Sequence, residues 1–152
     1  MDTRVLHSGD EDILAKVAPD VFDHAIDPET AAAFLADPGP HIAVAIEDGL
    51  VIGFASGVHY FHPDKPAPEL FVNEVSVSPN YRQRGAAKAA LAALVEEGRK
   101  HGCAEARVLT HRTNHAAMRL YAASGGKEAP SDQVLFWFDL SANPGSSPSD
   151  AE

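Results

Sequence analysis

Apolar residues dominate two neighbouring stretches of the chain, His41–Glu47 and Leu50–Tyr60, with polar residues mainly at their ends. Short apolar runs bounded by turn residues are typical of buried β-strands. The Asp48-Gly49 pair between them is a strong signal for a tight hairpin. A third apolar run, Phe71–Val77, predicts another strand, which carries Asn73, Glu74 and Ser76 among its valines and ends at a proline turn. These three stretches predict the centre of a sheet.

Shorter patterns complete the predicted fold. They indicate further strands at Thr3–His7, Arg107–Thr110 and Gln133–Leu140, and helices from Gly9 to Val17, from Asp27 to Ala36, from about Ala86 to Lys100 and at Asn114–Ala123. The order is β-α-α-β-β-β-α-β-α-β. It predicts an α/β fold with a mixed sheet, antiparallel at the front, in which a helical crossover requires at least one parallel pair.

The chain has 152 residues, of which 45% are hydrophobic. This size predicts one domain over residues 1–140, and the polar segment Ser141–Glu152 is expected to be disordered. The acidic N-terminus lacks a secretory pattern and no apolar run approaches membrane-spanning length, so we expect a cytoplasmic protein without membrane contact. Cys103 is the single cysteine, which excludes an internal disulfide and a thiolate zinc cluster.

Charge divides the chain into two unequal halves. Residues 1–80 hold three basic and fourteen acidic residues, a net charge of −11, whereas residues 81–152 carry +1. The acidic half favours cationic partners, although acidic surfaces also serve solubility alone. Such a chain is not expected to bind nucleic acid.

The basic part of the second half begins at a predicted helix N-terminus. Arg82, Arg84 and Lys88 surround the small residues Gly85, Ala86 and Ala87. Backbone N–H groups in a first helical turn have no internal partner, and small residues let a phosphate approach them closely. The stretch therefore predicts an anion-binding loop.

Two motifs resemble those of the GNAT N-acetyltransferases. Arg82-x-x-Gly85-x-Ala87 after a Val-x-Val strand resembles motif A, and Asn114 with Leu120-Tyr121-x-x-x-Gly125 resembles motif B. Gly126 departs from the family, which usually has Phe there. The resemblance spans roughly residues 3–140 and implies the GNAT acyltransferase fold, a mostly antiparallel sheet flanked by helices and splayed at the coenzyme A site.

The resemblance implies acetyl coenzyme A as cosubstrate and assigns the residues that bind it. The backbone of the central strand would pair with the pantetheine arm, the loop would bind the pyrophosphate, and an asparagine would bind the arm from the other side. These residues are Val75, Ser76, Val77, Arg82, Gln83, Arg84, Gly85, Ala86, Ala87, Lys88 and Asn114. Asn114 equally suits a helix N-cap.

Two residues are expected to act in catalysis. Tyr121 matches the family's general acid, which would protonate the departing thiolate; without the motif it would be read as a packed helix residue. Glu74 lies on the central strand, where a carboxylate can deprotonate an ammonium substrate; the alternative is a solvent-facing strand glutamate.

The acceptor was inferred from a narrower resemblance. The stretch from Val51 to Val77 resembles the GNAT-type aminoglycoside 3-N-acetyltransferases, which implies acetylation of a 3-amino group and antibiotic resistance. Glu69, Glu74 and Asp139 would then bind amino groups of the sugar, with Asp23 and Asp64 as weaker candidates. For Glu69 and Asp139, charge that protects a sheet edge is an equal alternative.

Other interpretations stay open at this point. A GNAT enzyme that acetylates another small amine or a protein N-terminus is one, and a non-catalytic acyl-CoA-sensing module is another. His59-x-x-His62 and His111-x-x-x-His115 have ligand-like spacing but no clear third partner, so no metal is expected. The apolar run in Gln133–Leu140 and the subfamily resemblance suggest a homodimer.

Overall fold

The computed structural model describes residues 1–141, so all but the first residue of the predicted tail lies outside the described residues. The described chain forms a five-stranded sheet whose strands follow their sequence order. The strands are β1 (Asp2–Val5), β2 (Pro40–Glu47), β3 (Leu50–Tyr60), β4 (Glu69–Val77) and β5 (Ala106–Val108). β1 to β4 pair antiparallel, and β4 pairs with β5 in parallel, as the helical crossover predicts.

Four helices accompany the sheet: α1 (Glu11–Leu14), α2 (Pro28–Ala36), α3 (Ala86–Lys100) and α4 (His115–Ala123). The side chain of Asp27 caps α2 by accepting a hydrogen bond of 2.8 Å from the backbone N–H of Thr30. Pro28 follows at the first helical position, where its missing N–H costs nothing. None of the helices in residues 1–141 is long and apolar enough to cross a membrane.

The sheet separates two apolar cores. Residues such as Leu14, Val44 and Phe54 belong to the core on the α1 and α2 side. Ala43, Ala55 and the α3 residue Leu94 belong to the core on the α3 side. Neighbouring strand residues alternate between the two cores because successive side chains of a strand point to opposite faces. This is why the central strands are apolar on both faces.

The predicted hairpin between β2 and β3 is present. Asp48 and Gly49 both have positive φ angles, 51° and 78°, as a two-residue turn of the I′ type requires. The turn fixes the register, which pairs Glu47 with Leu50.

An extra residue interrupts the alternation in β4. Ser56 of β3 pairs with Glu74, but the next residue, Gly57, pairs with Val72, so Asn73 has no opposite residue. Beyond such a bulge, each side chain of the strand points to the opposite face of the sheet from the one that strict alternation would give. Val72 is consequently buried against α3, whereas Glu74 lines a cavity on the opposite face.

The prediction of a last strand at Gln133–Leu140 was wrong. The structure has no strand there, and its apolar side chains lie in solvent, with Phe136 77% exposed and Leu140 94% exposed. A strand that is apolar on both faces is stable only where a neighbouring strand pairs with it and other elements cover both of its faces. The neighbouring edge strand β5 has three residues and ends at Val108, which offers little for the segment to pair with.

Candidate active site

β4 and β5 separate within the sheet. Their pairing covers Leu70, Phe71 and Val72, and ends there. β4 continues to Val77, so the outer edge of its second half has no strand partner among residues 1–141. Unpaired strand edges present backbone N–H and C=O groups that an extended ligand can bind as an added strand would. This is the splayed sheet that the family resemblance implies, and it exposes the backbone of Val75–Val77.

The loop that follows β4 has the geometry of an anion site. Gln83 and Gly85 both adopt left-handed conformations, with φ of 61° and 81°. Nothing lies within 4 Å of where a Cβ of Gly85 would be, so the backbone angle rather than space favours glycine there. No side chain caps α3, which leaves the first-turn N–H groups of Ala86–Lys88 facing outward. Backbone N–H groups in turns of this kind form concave anion sites.

The cations of this loop differ in their partners. Arg84 lies 2.9 Å from Glu47 and stacks over the ring of Tyr81 at 5.1 Å, so part of its charge is balanced within the protein. Arg82 is exposed at the loop, and Lys88 lines the groove described next. Arg82 and Lys88 are therefore the better placed cations for a diphosphate.

A groove of about 320 Å³ lies between α3, α4, β4 and β5. Tyr121 is half-buried in it, together with Val72, Leu91 and Lys88. Burial raises the pKa of the Tyr121 phenol, so the group is protonated at neutral pH. A protonated phenol beside an apolar wall can donate a proton to a thiolate.

Asn114 precedes α4 and caps it. Its side-chain oxygen accepts a hydrogen bond of 3.1 Å from the backbone N–H of Ala117. The cap that the sequence allows is therefore present. The amide NH₂ of Asn114 is not needed for the cap, so it can still donate to a ligand.

Glu74 lines a second cavity, of about 390 Å³, on the α1–α2 face of the sheet. Partial burial and the nearby carboxylate of Asp23 raise its pKa. Ser56 sits beside Glu74 because the two residues pair across β3 and β4. A carboxylate whose pKa lies above its ordinary value is a better proton acceptor once it is ionised.

The cavity around Glu74 combines acidic groups with aromatic walls. Asp23 and Asp27 line it with Glu74, and Phe22, Phe34 and Phe54 supply apolar surface. Within residues 1–141, no lysine or arginine lines this cavity, so its field favours cations. Hydrogen bonds from Thr30 lower the pKa of Asp27, which keeps that carboxylate ionised at neutral pH.

The structure does not bring all the predicted acidic residues into this cavity. Glu69 lies at the start of β4, where it accepts a hydrogen bond of 2.7 Å from Tyr60 and approaches Arg107. Asp139 lies in the exposed segment and accepts hydrogen bonds from Ser141. Asp64 contacts His62 and Lys65 in the proline-rich loop. Asp23 is the one weaker candidate that lines the cavity.

Sequence reasoning missed several residues that line the cavity, among them Ser56 and Asp27. Ser56 lies beside Glu74 through the β3–β4 pairing, which no local motif fixes. Asp27 begins a predicted helix, and its side chain does cap α2. Nothing in the spacing showed that the start of α2 would lie over β4.

Two sites therefore meet at the second half of β4. One side offers an anion-binding loop and an open strand edge, and the other offers an acidic cavity. This arrangement suits a phosphorylated, extended ligand on one side of β4 and a cationic ligand on the other. The chain belongs to the acetyltransferase (GNAT) family, whose model matches residues 11–125. This family agrees with the acetyl transfer that the motifs imply, and acetyl coenzyme A stays the donor that the resemblance predicts.

Known proteins similar to the chain agree with this family. An aminoglycoside N(6′)-acetyltransferase type 1 of Salmonella typhimurium is 32% identical over 102 residues, which cover 64% of this chain and 69% of that protein. The solved structure of AAC(6′)-Iy with the bisubstrate analogue CoA-S-monomethyl-acetylneamine is 24% identical, with a TM-score of 0.72 and coverage of 92% and 98%. A ribosomal-protein-alanine N-acetyltransferase of Brucella melitensis biovar Abortus 2308 is 20% identical, with a TM-score of 0.70 and coverage of 91% and 100%. At these identities the two structures establish the fold alone.

Proposed function

We propose that the chain is an acetyl-CoA-dependent aminoglycoside N-acetyltransferase that acts on the 6′-amino group and confers resistance. The observation that carries this proposal is the acidic cavity at Glu74, which adjoins the open half of β4. Aminoglycosides carry several ammonium groups, and a cavity lined by Asp23, Asp27 and Glu74 without a cation suits them. The aromatic walls suit the faces of sugar rings.

The position of the reacting amine differs from the sequence expectation. The subfamily resemblance implied the 3-amino group, but the Salmonella relative and AAC(6′)-Iy are both named for the 6′ position. The relatives therefore do not support 3-N-acetylation. A 6′ acceptor is the better supported proposal.

The proposed reaction is a direct transfer in a ternary complex. Glu74 takes a proton from the ammonium group, and the free amine attacks the thioester carbonyl. A backbone N–H of the open half of β4 polarises that carbonyl. The carbon–sulfur bond then breaks, and Tyr121 donates its proton to the departing thiolate. The nitrogen of the new amide gives up its excess proton, the Tyr121 phenolate regains one proton, and Glu74 loses its proton to water, which restores both side chains.

The substrate class is tested with purified protein by following coenzyme A thiol release. We expect turnover with kanamycin-type and gentamicin-type aminoglycosides that carry a 6′-amino group. Analogues with a hydroxyl in place of that amine should give no more than the background rate. Turnover of the 6′-hydroxyl analogues would contradict the 6′ assignment while leaving aminoglycoside acetylation intact.

A second acceptor class is tested in the same assay. The fold is shared with an enzyme named for alanine acetylation of a ribosomal protein, so the fold does not select the substrate. We expect an N-terminal peptide to be a poor acceptor because the cavity is compact and strongly acidic, and spermidine to be poorer than the aminoglycosides because it has no sugar ring to pack on the aromatic walls. Faster release with the peptide than with every aminoglycoside would overturn the proposal. Coenzyme A binding without turnover of any amine would instead indicate a sensing module.

We also propose that two copies of the chain pair through residues 133–140. This segment exposes Val134, Leu135, Phe136 and Phe138, and isolated soluble chains rarely expose such contiguous apolar surface. The edge of β5 has no partner strand among the described residues. In a pair of copies, residues 133–140 of one copy can add as a strand to the unpaired β5 edge of the other copy. The symmetric contact forms at the same time, so both copies gain a strand partner.

Light scattering after gel filtration tests this pairing. We expect a dimer for the native chain and a monomer when Phe136 and Phe138 are both replaced by Asp. A matched variant, Ala129→Asp with Ser131→Asp, adds the same charge just before the segment and should remain dimeric. A native chain that is monomeric at all concentrations would contradict the proposal.

A further inference from the structure

Three histidines from distant parts of the chain meet at the far end of α3. His41 lies on β2, His59 on β3, and His101 immediately follows α3. One ring nitrogen of each lies within 4.8 Å of those of the other two. His41 and His59 share a strand pair and project toward α3, which places His101 over both rings. The proposed acetyl transfer uses none of the three.

We propose that His41, His59 and His101 form a binding site for a divalent transition-metal ion such as zinc. Imidazole nitrogens suit zinc, copper and nickel ions, and three histidines with one open position are an established zinc geometry. The anion-binding end of α3 lies about 22 Å away along its 15 residues, so the ion would join α3 to the sheet rather than enter the reaction.

The orientation of the nitrogens supports this site. His41 Nε2 and His59 Nδ1 face each other at 2.7 Å. Two nitrogens bound to one zinc ion in tetrahedral geometry lie roughly 3.4 Å apart, so these rings need to separate by less than about 1 Å. His101 Nδ1 donates to the carbonyl of Glu97 at 3.0 Å, which fixes the ring and leaves Nε2 for a metal.

The charge around the cluster also favours a cation. The carboxylate of Glu97 is buried and lies 3.7 Å from His101, with Lys100 as its distant partner at 3.9 Å. A divalent ion bound by the three rings would offset the negative charge of this carboxylate.

The test is isothermal titration of tag-free, metal-free protein with zinc chloride, together with visible absorption of the cobalt(II) form. We expect one ion per chain, the intense cobalt bands of a four-coordinate site, and a higher melting temperature with zinc. His101→Ala and His59→Ala should each raise the dissociation constant at least about tenfold. His101→Ala should disturb the fold less than His59→Ala, because the ring of His101 is partly exposed and the residue lies just after the end of α3.

The matched control is His62→Ala, which removes an exposed histidine three positions after His59 in the chain and should bind zinc as the native chain does. Circular dichroism of each metal-free variant establishes that it folds. Equal affinity in His101→Ala, His59→Ala and the native chain would overturn the proposal. Binding of less than one ion per chain, or loss of binding in His62→Ala, would also overturn it. None of these readouts depends on acetyl transfer.

Discussion

Replacing Glu74 with Gln is expected to lower kcat/KM for an aminoglycoside by about 10²- to 10⁴-fold, the range that general bases contribute. The change keeps the size of the side chain and removes its ability to accept a proton. It also removes one of the carboxylates that attract the acceptor, so part of the loss should appear in KM. Steady-state kinetics with saturating acetyl coenzyme A measure both effects.

Glu69→Gln is the matched variant on the same strand. Glu69 lies about 16 Å from Glu74 along β4, outside the acidic cavity, so we expect its kinetics to change less than about twofold. This variant also tests the expectation that Glu69 binds the sugar, which would raise KM. Full activity in Glu74→Gln, with unchanged melting temperature, would exclude Glu74 as the base.

The pH dependence gives an independent test of the same residue. Glu74 must be ionised to accept a proton, and both partial burial and Asp23 raise its pKa. The native kcat/KM should therefore fall as the pH drops through that raised pKa. Asp23→Asn removes the like charge, so the acidic limb should move to lower pH. In Glu74→Gln this limb should disappear. An acidic limb that is identical in all three proteins would belong to another group.

The central sheet was predictable from sequence because local signals and burial agreed there. Asp48-Gly49 fixed the β2–β3 hairpin, and the helix after β4 required the parallel partner β5. The backbone geometry of the loop before α3 was also predictable, since its small residues stand directly before and at a helix N-terminus. These features are determined by residues that lie close together in the sequence.

The remaining features depend on contacts between distant residues. The three-histidine cluster joins positions 41, 59 and 101, whose separations follow no motif, whereas the spacings that resembled metal ligands were local. Glu74 and Val72 lie on opposite faces of the sheet because β4 contains a single extra residue. Only the pairing with β3 reveals that residue. The segment at 133–140 has the composition of a strand, but composition cannot supply a partner.

Tyr121→Phe is expected to lower kcat by roughly 10²-fold, because the phenol would no longer donate a proton to the departing thiolate. The ring remains to fill the groove beside Val72 and Leu91, so folding and acetyl coenzyme A binding should be unchanged. Single-turnover kinetics and a binding titration separate these two quantities. Tyr60→Phe is the matched control, since its hydroxyl donates to Glu69 away from the site and its removal should leave kcat unaffected.

The leaving group provides the sharper test of Tyr121. A thiol with a lower pKa leaves without help from an acid. With acetyl thioesters of more acidic thiols, the difference in kcat between Tyr121→Phe and the native chain should therefore narrow. A residue that only packs in the groove would lower the rate equally with every donor. Because burial raises the pKa of Tyr121, the native rate should also stay level across neutral pH and decline only in strong alkali. A constant loss across all thioesters would assign Tyr121 to packing rather than to proton transfer.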